Sequence, residues 1–515
     1  MGQGVKPGRN YHGKNPQKKK KIAFFREGTY HSTIGSIFDE FRKMADKQHR
    51  VVILGAGPSG LSIAWGLSGS ESIKFTVLEA GSRVGGLSRT IEHDGVRLDI
   101  GPHRLSPQIP GIVDKIKGLL GDDLLAKENL HGVFFNERLY SYPPKASDFL
   151  NMNSCVCSLR FGASWAAARA LDKLSVLRGR EALTFDKALL SHFGASFCRD
   201  VIFPMIEKVW GTKELHAEFA RIRFELPTFR KIARKVLSGK YRFNDSVFYY
   251  PRHGFSQIWD TLQERLKTGR NAIETGASLD AIKCETLDGP FEVSFIKDGR
   301  KESITADRLV STISNRTLLE RLSVARLPAP LPVSPADFQS RTMILGVLVI
   351  EGFTLPSRVV IFPEPTYIFN RISEMNQFSD LGYPKGHSVL MIDVICDKSG
   401  RHATIDEASF NAELTESFLS LGWCKREAIK KAFSLKFPDA YPILSCERYA
   451  AQERLEDFLA GTGVVLCGRE ASSDYNNAHN AIGKGFLAAR HIMGEIGFNE
   501  YRRSSRTVGR LPIQD

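Results

Sequence analysis

The chain has 515 residues, of which 42% are hydrophobic and 25% charged, and its formal net charge is +14. These proportions are those of an ordinary globular protein and exclude a collagen, a mucin-like stalk and a wholly disordered chain. At roughly 150 residues per domain the length predicts two or three domains, with enough buried surface to need neither disulfides nor metals as staples.

The charge is uneven. Residues 1–50 hold 12 Lys+Arg against 4 Asp+Glu, more than half of the net +14. This predicts a basic, solvated leader, with weak contact to an anionic membrane as the alternative. Lys18 to Lys21 have no interleaved aromatic rings on which bases could stack, so no nucleic-acid partner is expected. Lys6 stands where a myristoylation motif requires Ser or Thr. From Ser32 or Thr33, Ile34, Ile37, Phe38, Phe41 and Met44 recur at helical spacing and predict a short amphipathic helix that closes the leader. No apolar run reaches the ~18 residues of a membrane span, and the first residues lack the apolar stretch of a signal peptide. The eight cysteines show neither zinc-knuckle nor CxxC spacing. A reducing cytoplasm is the expected location, with no metal site.

The first strong signal is Arg50-Val-Val-Ile-Leu-Gly55, an apolar run that reads as a buried parallel strand. Gly55-Ala56-Gly57-Pro58-Ser59-Gly60 follows, then the apolar helical stretch from Leu61 to Leu67. A second strand, Phe75-Thr-Val-Leu-Glu79, ends in an acid just before Ala80. Strand, GxGxxG, helix and acid form one βαβ unit with its dinucleotide fingerprint in register. Gly55 permits the tight turn, Gly57 lets backbone approach a pyrophosphate, and Gly60 lets helix and strand pack closely. Glu79 is placed to accept hydrogen bonds from a ribose. Behind it, Arg83-Val-Gly85-Gly86-Leu87-Ser88 offers a cation and backbone N–H groups as a second set of phosphate contacts.

Farther along, helical periodicity covers 184–192 and 254–266. The segments 291–296, 308–313, 344–350 and 388–396 read as strands. The stretch 327–335 is a proline-rich connector and an expected domain crossing. Near the end, Gly463 to Cys467 reads as a short buried strand, followed by a helix from about Asn480 to Ile496. No internal repeat, HExxH, GxSxG or P-loop is present.

The Arg83 to Ser88 block resembles the Arg-x-x-Gly-Gly motif of the FAD-dependent superfamily that holds amine oxidases, protoporphyrinogen oxidases, phytoene desaturases and UDP-galactopyranose mutases. Here only Val84 separates Arg83 from Gly85. Several later segments are also similar to that family: Asp99-Ile-Gly101-Pro102-His103-Arg104, Glu207-Lys-Val-Trp210-Gly211, and Tyr250 to Ile258. So are Ala306 to Ile313, Gly468-Arg469 with Asn476-Asn477, and Ala481-Ile482-Gly-Lys-Gly485. The resemblance implies FAD as cofactor. It adds Gly101, Pro102, His103, Gly468, Arg469, Asn477 and Ile482 to the flavin contacts named above.

The implied fold is α/β: a doubly wound Rossmann-type FAD-binding domain with an inserted mixed α+β substrate or cap domain. The expected divisions are a leader (1–50), FAD-binding parts at 51–134, 250–327 and 461–497, cap parts at 135–249 and 328–460, and a basic tail at 498–515.

The resemblance implies a flavin oxidoreductase that removes hydride from a small or medium organic substrate. The alternatives are a non-redox isomerase resembling UDP-galactopyranose mutase and a FAD-binding protein without turnover. After Gly468-Arg469 the mutases place two tyrosines and an acid, whereas this chain has Tyr475-Asn476-Asn477. Candidate catalytic residues are His103, Arg104, Trp210 and Tyr475. Each has a plainer reading: backbone positioning for His103, a surface or phosphate contact for Arg104, a core ring for Trp210, and a structural role for Tyr475. Lys208 and His479 are likewise open between site and scaffold.

Overall fold

A computed structural model describes residues 49–142, 155–175, 184–219, 247–267 and 269–511. The leader and its expected amphipathic helix lie outside these residues.

The body from His49 onward is organised around two sheets. The first is five-stranded, in the order Val464–Leu466, Arg308–Ser311, His49–Leu54, Ile73–Glu79, Ala272–Thr275. All its pairings are parallel. A parallel sheet is covered on both faces, which explains why Val51 to Leu54 is a continuous apolar run with every residue buried. The helices Pro58–Leu67 and Ala478–Ile492 lie against each other, and glycines set how closely. A Cβ on Gly485 would fall 2.6 Å from the Ser62 Cβ, and one on Gly66 would fall 2.5 Å from the Ala489 Cβ. A four-stranded sheet, Arg300–Ala306, Phe291–Lys297, Ser278–Cys284 and Leu322–Val324, is a separate unit between strands of this layer in sequence.

The second large sheet has seven strands: Ile429–Pro442, Ser340–Glu351, His387–Cys396, Arg371–Glu374, Val359–Ile361, His131–Phe135, Arg138–Tyr142. Its second strand, Ser340–Glu351, is buried along all but its last residue, and the two-residue period divides its side chains. Leu345, Val347 and Val349 join the core that also holds Val51, Ile53 and Phe255. Ile344, Leu348 and Ile350 face a second cluster with Phe410, Leu414 and Phe418 of the helix Glu407–Leu419. Gly346 makes room for that helix, since a Cβ there would meet Leu414 Cδ2 at 2.2 Å. Asp393 is paired across the ladder with Leu345, and Arg371 with Asp393. Directly opposed residues share a face, so both point towards the parallel-sheet layer.

Two segments differ from the sequence reading. The strand His131–Phe135 straddles the expected boundary at 134 and belongs to the seven-stranded sheet. Residues Phe498–Gly509, expected as a basic tail, form a helix. Tyr501 and Ser505 are buried on one face, while Arg502 and Arg506 pair with Glu456, Asp457 and Glu453 of the helix Cys446–Phe458. Two of its arginines are thus neutralised by a partner helix that local composition does not show. Among the described residues no helix is long and apolar enough to cross a membrane.

Candidate active site

The first half of the site is made of backbone. Gly55 (φ +95°), Gly85 (φ +105°) and Gly86 (φ +55°) hold conformations that side chains rarely adopt. The two glycine turns meet, because a Cβ on Gly86 would lie 3.2 Å from the Gly57 Cα. Gly60 is the tightest point, as a Cβ there would sit 1.9 Å from the Gly55 carbonyl oxygen. Gly57, by contrast, has room for a Cβ, with nothing nearer than Gly86 Cα at 3.9 Å. The helix that starts at Pro58 has no side-chain cap, which leaves its leading N–H groups for an anion.

Around these turns, Glu79 links the two loops. Its carboxylate accepts from the backbone N–H of Ala56 and of Gly81, both at 2.8 Å. Carboxylate oxygens each have further lone pairs, so a ribose hydroxyl can still be received. Ala56 and Ser59 are buried, Ser59 Oγ donates to the Ala481 carbonyl, and Ala80 is exposed. Leu87 and Ser88 act through carbonyls: Leu87 bonds the His103 ring, and Ser88 accepts from the Trp259 indole. Arg83 is exposed and pairs with Asp260 at 2.8 Å. It is Arg89, absent from the candidate set, whose guanidinium donates to the Gly86 carbonyl at 3.2 Å, inside the glycine turn.

The second half of the site is made of side chains. A buried knot holds the chain that leads into it. Asp99 accepts from Thr90, from Tyr250 and from the Phe255 N–H, and its carboxyl is raised by burial against the opposing pull of these bonds. Gly101 then passes the ion pair of Arg371 with Asp393, where a Cβ would lie 3.8 Å from Arg371 Nη2. Asp393 is wholly buried and its Oδ1 has no hydrogen-bond partner. Pro102 is half-buried, as is His103, whose Nε2 lies 2.9 Å from the Leu87 carbonyl. Burial, then the positive charges of Arg469 and Arg371, push the His103 imidazole down to about 4, so it is neutral near pH 7.

Arg469 follows Gly468 (φ +106°) at the end of the last parallel strand. Its guanidinium donates to the Asn476 carbonyl at 2.7 Å and lies 5.0 Å from the Tyr475 ring centroid and 6.0 Å from that of Tyr441. Tyr475 also meets Trp210 at 5.9 Å and Phe219 at 6.1 Å. The Tyr441 hydroxyl is pushed far up by burial and by Tyr475. Three buried polar groups in this cluster have atoms with no hydrogen-bond partner: the Trp210 indole N–H, the Asn476 side-chain amide and the Asp393 carboxylate at Oδ1. Asn477 caps the helix Ala478–Ile492 through a reciprocal box with Asn480, and Ile482 is in the core.

The structure therefore brings together His103, Arg469, Tyr475 and Trp210, and joins to them Arg371, Asp393, Tyr441 and Asn476, which were not candidates. It places three others apart. Arg104 is buried in a clamp with Asn129, His131 and the Phe248 ring, and His479 holds the same segment through the Ser106 N–H. Lys208 donates to the carbonyls of Phe362 and Phe369, both at 3.0 Å, and burial lowers its amine to about 7.

The profile of the flavin containing amine oxidoreductases matches residues 58–493. The chain belongs to this family. Within the flavin-containing amine oxidoreductases, it is 42% identical over 83 residues to an L-amino-acid oxidase of Protobothrops flavoviridis, a match covering 16% of each chain. The chain thus spans about a sixth of the curated relative it matches. Its fold is similar to that of reduced UDP-galactopyranose mutase (TM-score 0.75, 18% identity), which covers 90% of this chain and 98% of the other. It is also similar to a putrescine oxidase bound to putrescine (TM-score 0.58, 16% identity), covering 87% of this chain and 99% of the other.

The residues fit FAD. The glycine turns form a backbone cradle that is clear of side chains at Gly57, the helix behind it is uncapped, and a buried amide at Asn476 lacks a partner. A buried amide without hydrogen bonds is costly unless a ligand completes it.

Proposed function

We propose that the chain is an FAD-dependent oxidoreductase acting on a small or medium organic substrate. The observation that carries this reading is the juxtaposition of a side-chain-free glycine cradle with the cluster of half-buried His103 and Arg469 and buried Tyr475, Tyr441 and Trp210. Gly55, Gly57, Gly60, Gly85 and Gly86 would hold the pyrophosphate and Glu79 the ribose. Gly101 to His103, Gly468-Arg469 and Asn477 would lie along the rest of the cofactor. FAD, when bound, supplies the acceptor for a hydride.

The chain's own residues supply the surroundings. Tyr475, Tyr441 and Trp210 wall off water, and Arg469 fixes charge beside them. His103, neutral near pH 7, can hold a hydrogen bond without adding charge. The six cysteines with described side chains are free thiols, in keeping with a reducing, cytoplasmic location.

The test starts with the visible spectrum of the purified chain, before and after acid precipitation. A flavin band that moves to the supernatant is the expected result, and no band after added FAD refutes the reading. Candidate substrates are then added under nitrogen. A redox substrate bleaches the band and leaves it bleached until oxygen enters. A substrate converted with the band unchanged would favour the isomerase reading, to which the similarity with UDP-galactopyranose mutase lends support.

A further inference from the structure

Resting on the flavin reading above, we infer that Arg448 is a positioning residue of this site: through the Ser473 hydroxyl it fixes the turn that sets Arg469 and Tyr475 side by side. The backbone between those two residues folds back on itself. The Ser473 N–H donates to the Glu470 carbonyl at 3.4 Å, and the Asp474 N–H to the Arg469 carbonyl at 3.1 Å. This nested pair of bonds is the one that ends many helices, and it needs a left-handed residue at its fifth position, where glycine is usual. Ser473 stands there instead, at φ +49°. A Cβ is disfavoured in that conformation, and such strain persists only where surrounding contacts hold it.

Arg448 supplies that hold. Ser473 is wholly buried, and its Oγ accepts from Arg448 Nε and donates to Gln452 Oε1, both at 2.9 Å. Arg448 is itself 1% exposed. Its Nη1 donates to the Gln339 carbonyl at 2.8 Å, and its Nη2 to the Glu470 carbonyl at 3.3 Å and to Glu470 Oε2 at 3.1 Å. Ser340 Oγ donates to that same carboxylate oxygen at 3.1 Å. Gln339 and Ser340 lead into the strand Ser340–Glu351, in which Arg341 is paired across the ladder with Tyr441. One guanidinium, rigid in its planar fork, thus ties the turn to the second sheet one ladder step from Tyr441. The Arg469 guanidinium and the Tyr475 ring, from the two ends of the turn, each lie 6.0 Å from the Tyr441 ring centroid. Arg448 therefore acts on Arg469 and Tyr475 through the backbone that joins them.

Removing Arg448 outright would leave Glu470 without its counter-charge and lower stability whatever the turn does, so the test is made at Ser473. Ser473→Ala and Ser473→Gly lose the same two hydrogen bonds, but only glycine enters the left-handed region freely. In the full-length, FAD-loaded chain, Ser473→Ala should shift the flavin absorption band and weaken FAD uptake by about tenfold, because the cofactor then selects a minor form of the turn. Ser473→Gly should leave the band in place, with FAD affinity within about twofold of the parent. A band unmoved in Ser473→Ala, or moved as far in Ser473→Gly, overturns the inference whatever happens to the urea midpoints. Arg448→Lys keeps the charge beside Glu470 without the fork, and it repeats the comparison if the alanine variant does not fold. Its band shift should vanish when Ser473→Gly is added, and a shift that persists overturns the inference. A chain that takes up no FAD refutes the flavin reading, which is a separate result. The same variants are then compared, with the same deciding outcomes, by the near-ultraviolet circular dichroism of Tyr441, Tyr475 and Trp210 in the cofactor-free chain.

Discussion

The two ends of the site are built by opposite means. At the dinucleotide end Gly55, Gly57, Gly60, Gly85 and Gly86 act through backbone, close together in sequence, and three of them hold positive φ. At the other end Arg371, Asp393, Tyr441, Arg469 and Tyr475 form a cluster of side chains brought from separate strands and loops. A backbone cradle needs small residues at fixed spacing, whatever the cofactor's surroundings. A side-chain cluster needs only that some residue of the right charge arrive at the right place. The first is rigid and generic, and the second can be re-specified without touching the fold.

The sharpest way to break this contrast is to fill the cradle. Gly60→Ala places a methyl against the Gly55 carbonyl at 1.9 Å. The backbone on both sides must shift, so a loss of at least about 4 kcal/mol is expected, read as a collapsed denaturant midpoint or insoluble protein. A soluble Gly60→Ala chain with an unchanged midpoint would show that the tight approach is not needed. Next comes the cluster's buried ion pair. Asp393→Ala leaves Arg371 facing a low-dielectric site without its counter-charge, and about 3 kcal/mol of stability should be lost. If urea unfolding shows less than ~1 kcal/mol, the pair contributes no more than a surface one.

Gly57→Ala separates cofactor from fold. Its φ is ordinary and its Cβ would meet nothing nearer than 3.9 Å, so the cofactor-free chain should melt within ~0.5 kcal/mol of the parent. FAD uptake should nonetheless weaken by at least about tenfold, because the methyl occupies the space for the pyrophosphate. Equal FAD affinity in a fluorescence titration would move the pyrophosphate away from Gly57.

The same contrast explains what could be read in the sequence. The βαβ unit, the doubled glycine and most strands were legible because each is a local pattern: an apolar run, a φ requirement, an acid at a strand end. Arg89 escaped, although it stands two residues beyond the Gly85–Leu87 turn, because the motif drew attention to Arg83, which the structure pairs with Asp260. Asp393 does leave a trace in the sequence, a single carboxylate inside the buried run His387–Cys396. A lone charge in such a run demands a partner. That the partner is Arg371 depends on strand register, which local sequence does not encode. Tyr441 and the helix Phe498–Gly509 were invisible for the same reason, since their roles come from the elements they pack against.

The smallest effect concerns His103, and it joins the two ends. Its ring bonds the Leu87 carbonyl of the glycine turn and lies in the field of Arg469 and Arg371. Folding lowers its pKa from 6.5 to about 4, first through burial and then through those charges. Between these values the unfolded chain binds the extra proton and the folded chain does not. Stability contributed by the neutral ring is therefore fully present above pH 6.5 and is lost as pH falls from 6.5 towards 4. The slope from one group is at most ~1.4 kcal/mol per pH unit. His103→Asn removes the titrating group, so the parent and variant midpoints, measured in urea, should run parallel above pH 6.5 and converge or cross below it. A difference that stays constant down to pH 4 would mean that the imidazole titrates alike in both states, and that the positive charge of Arg469 and Arg371 does not reach it.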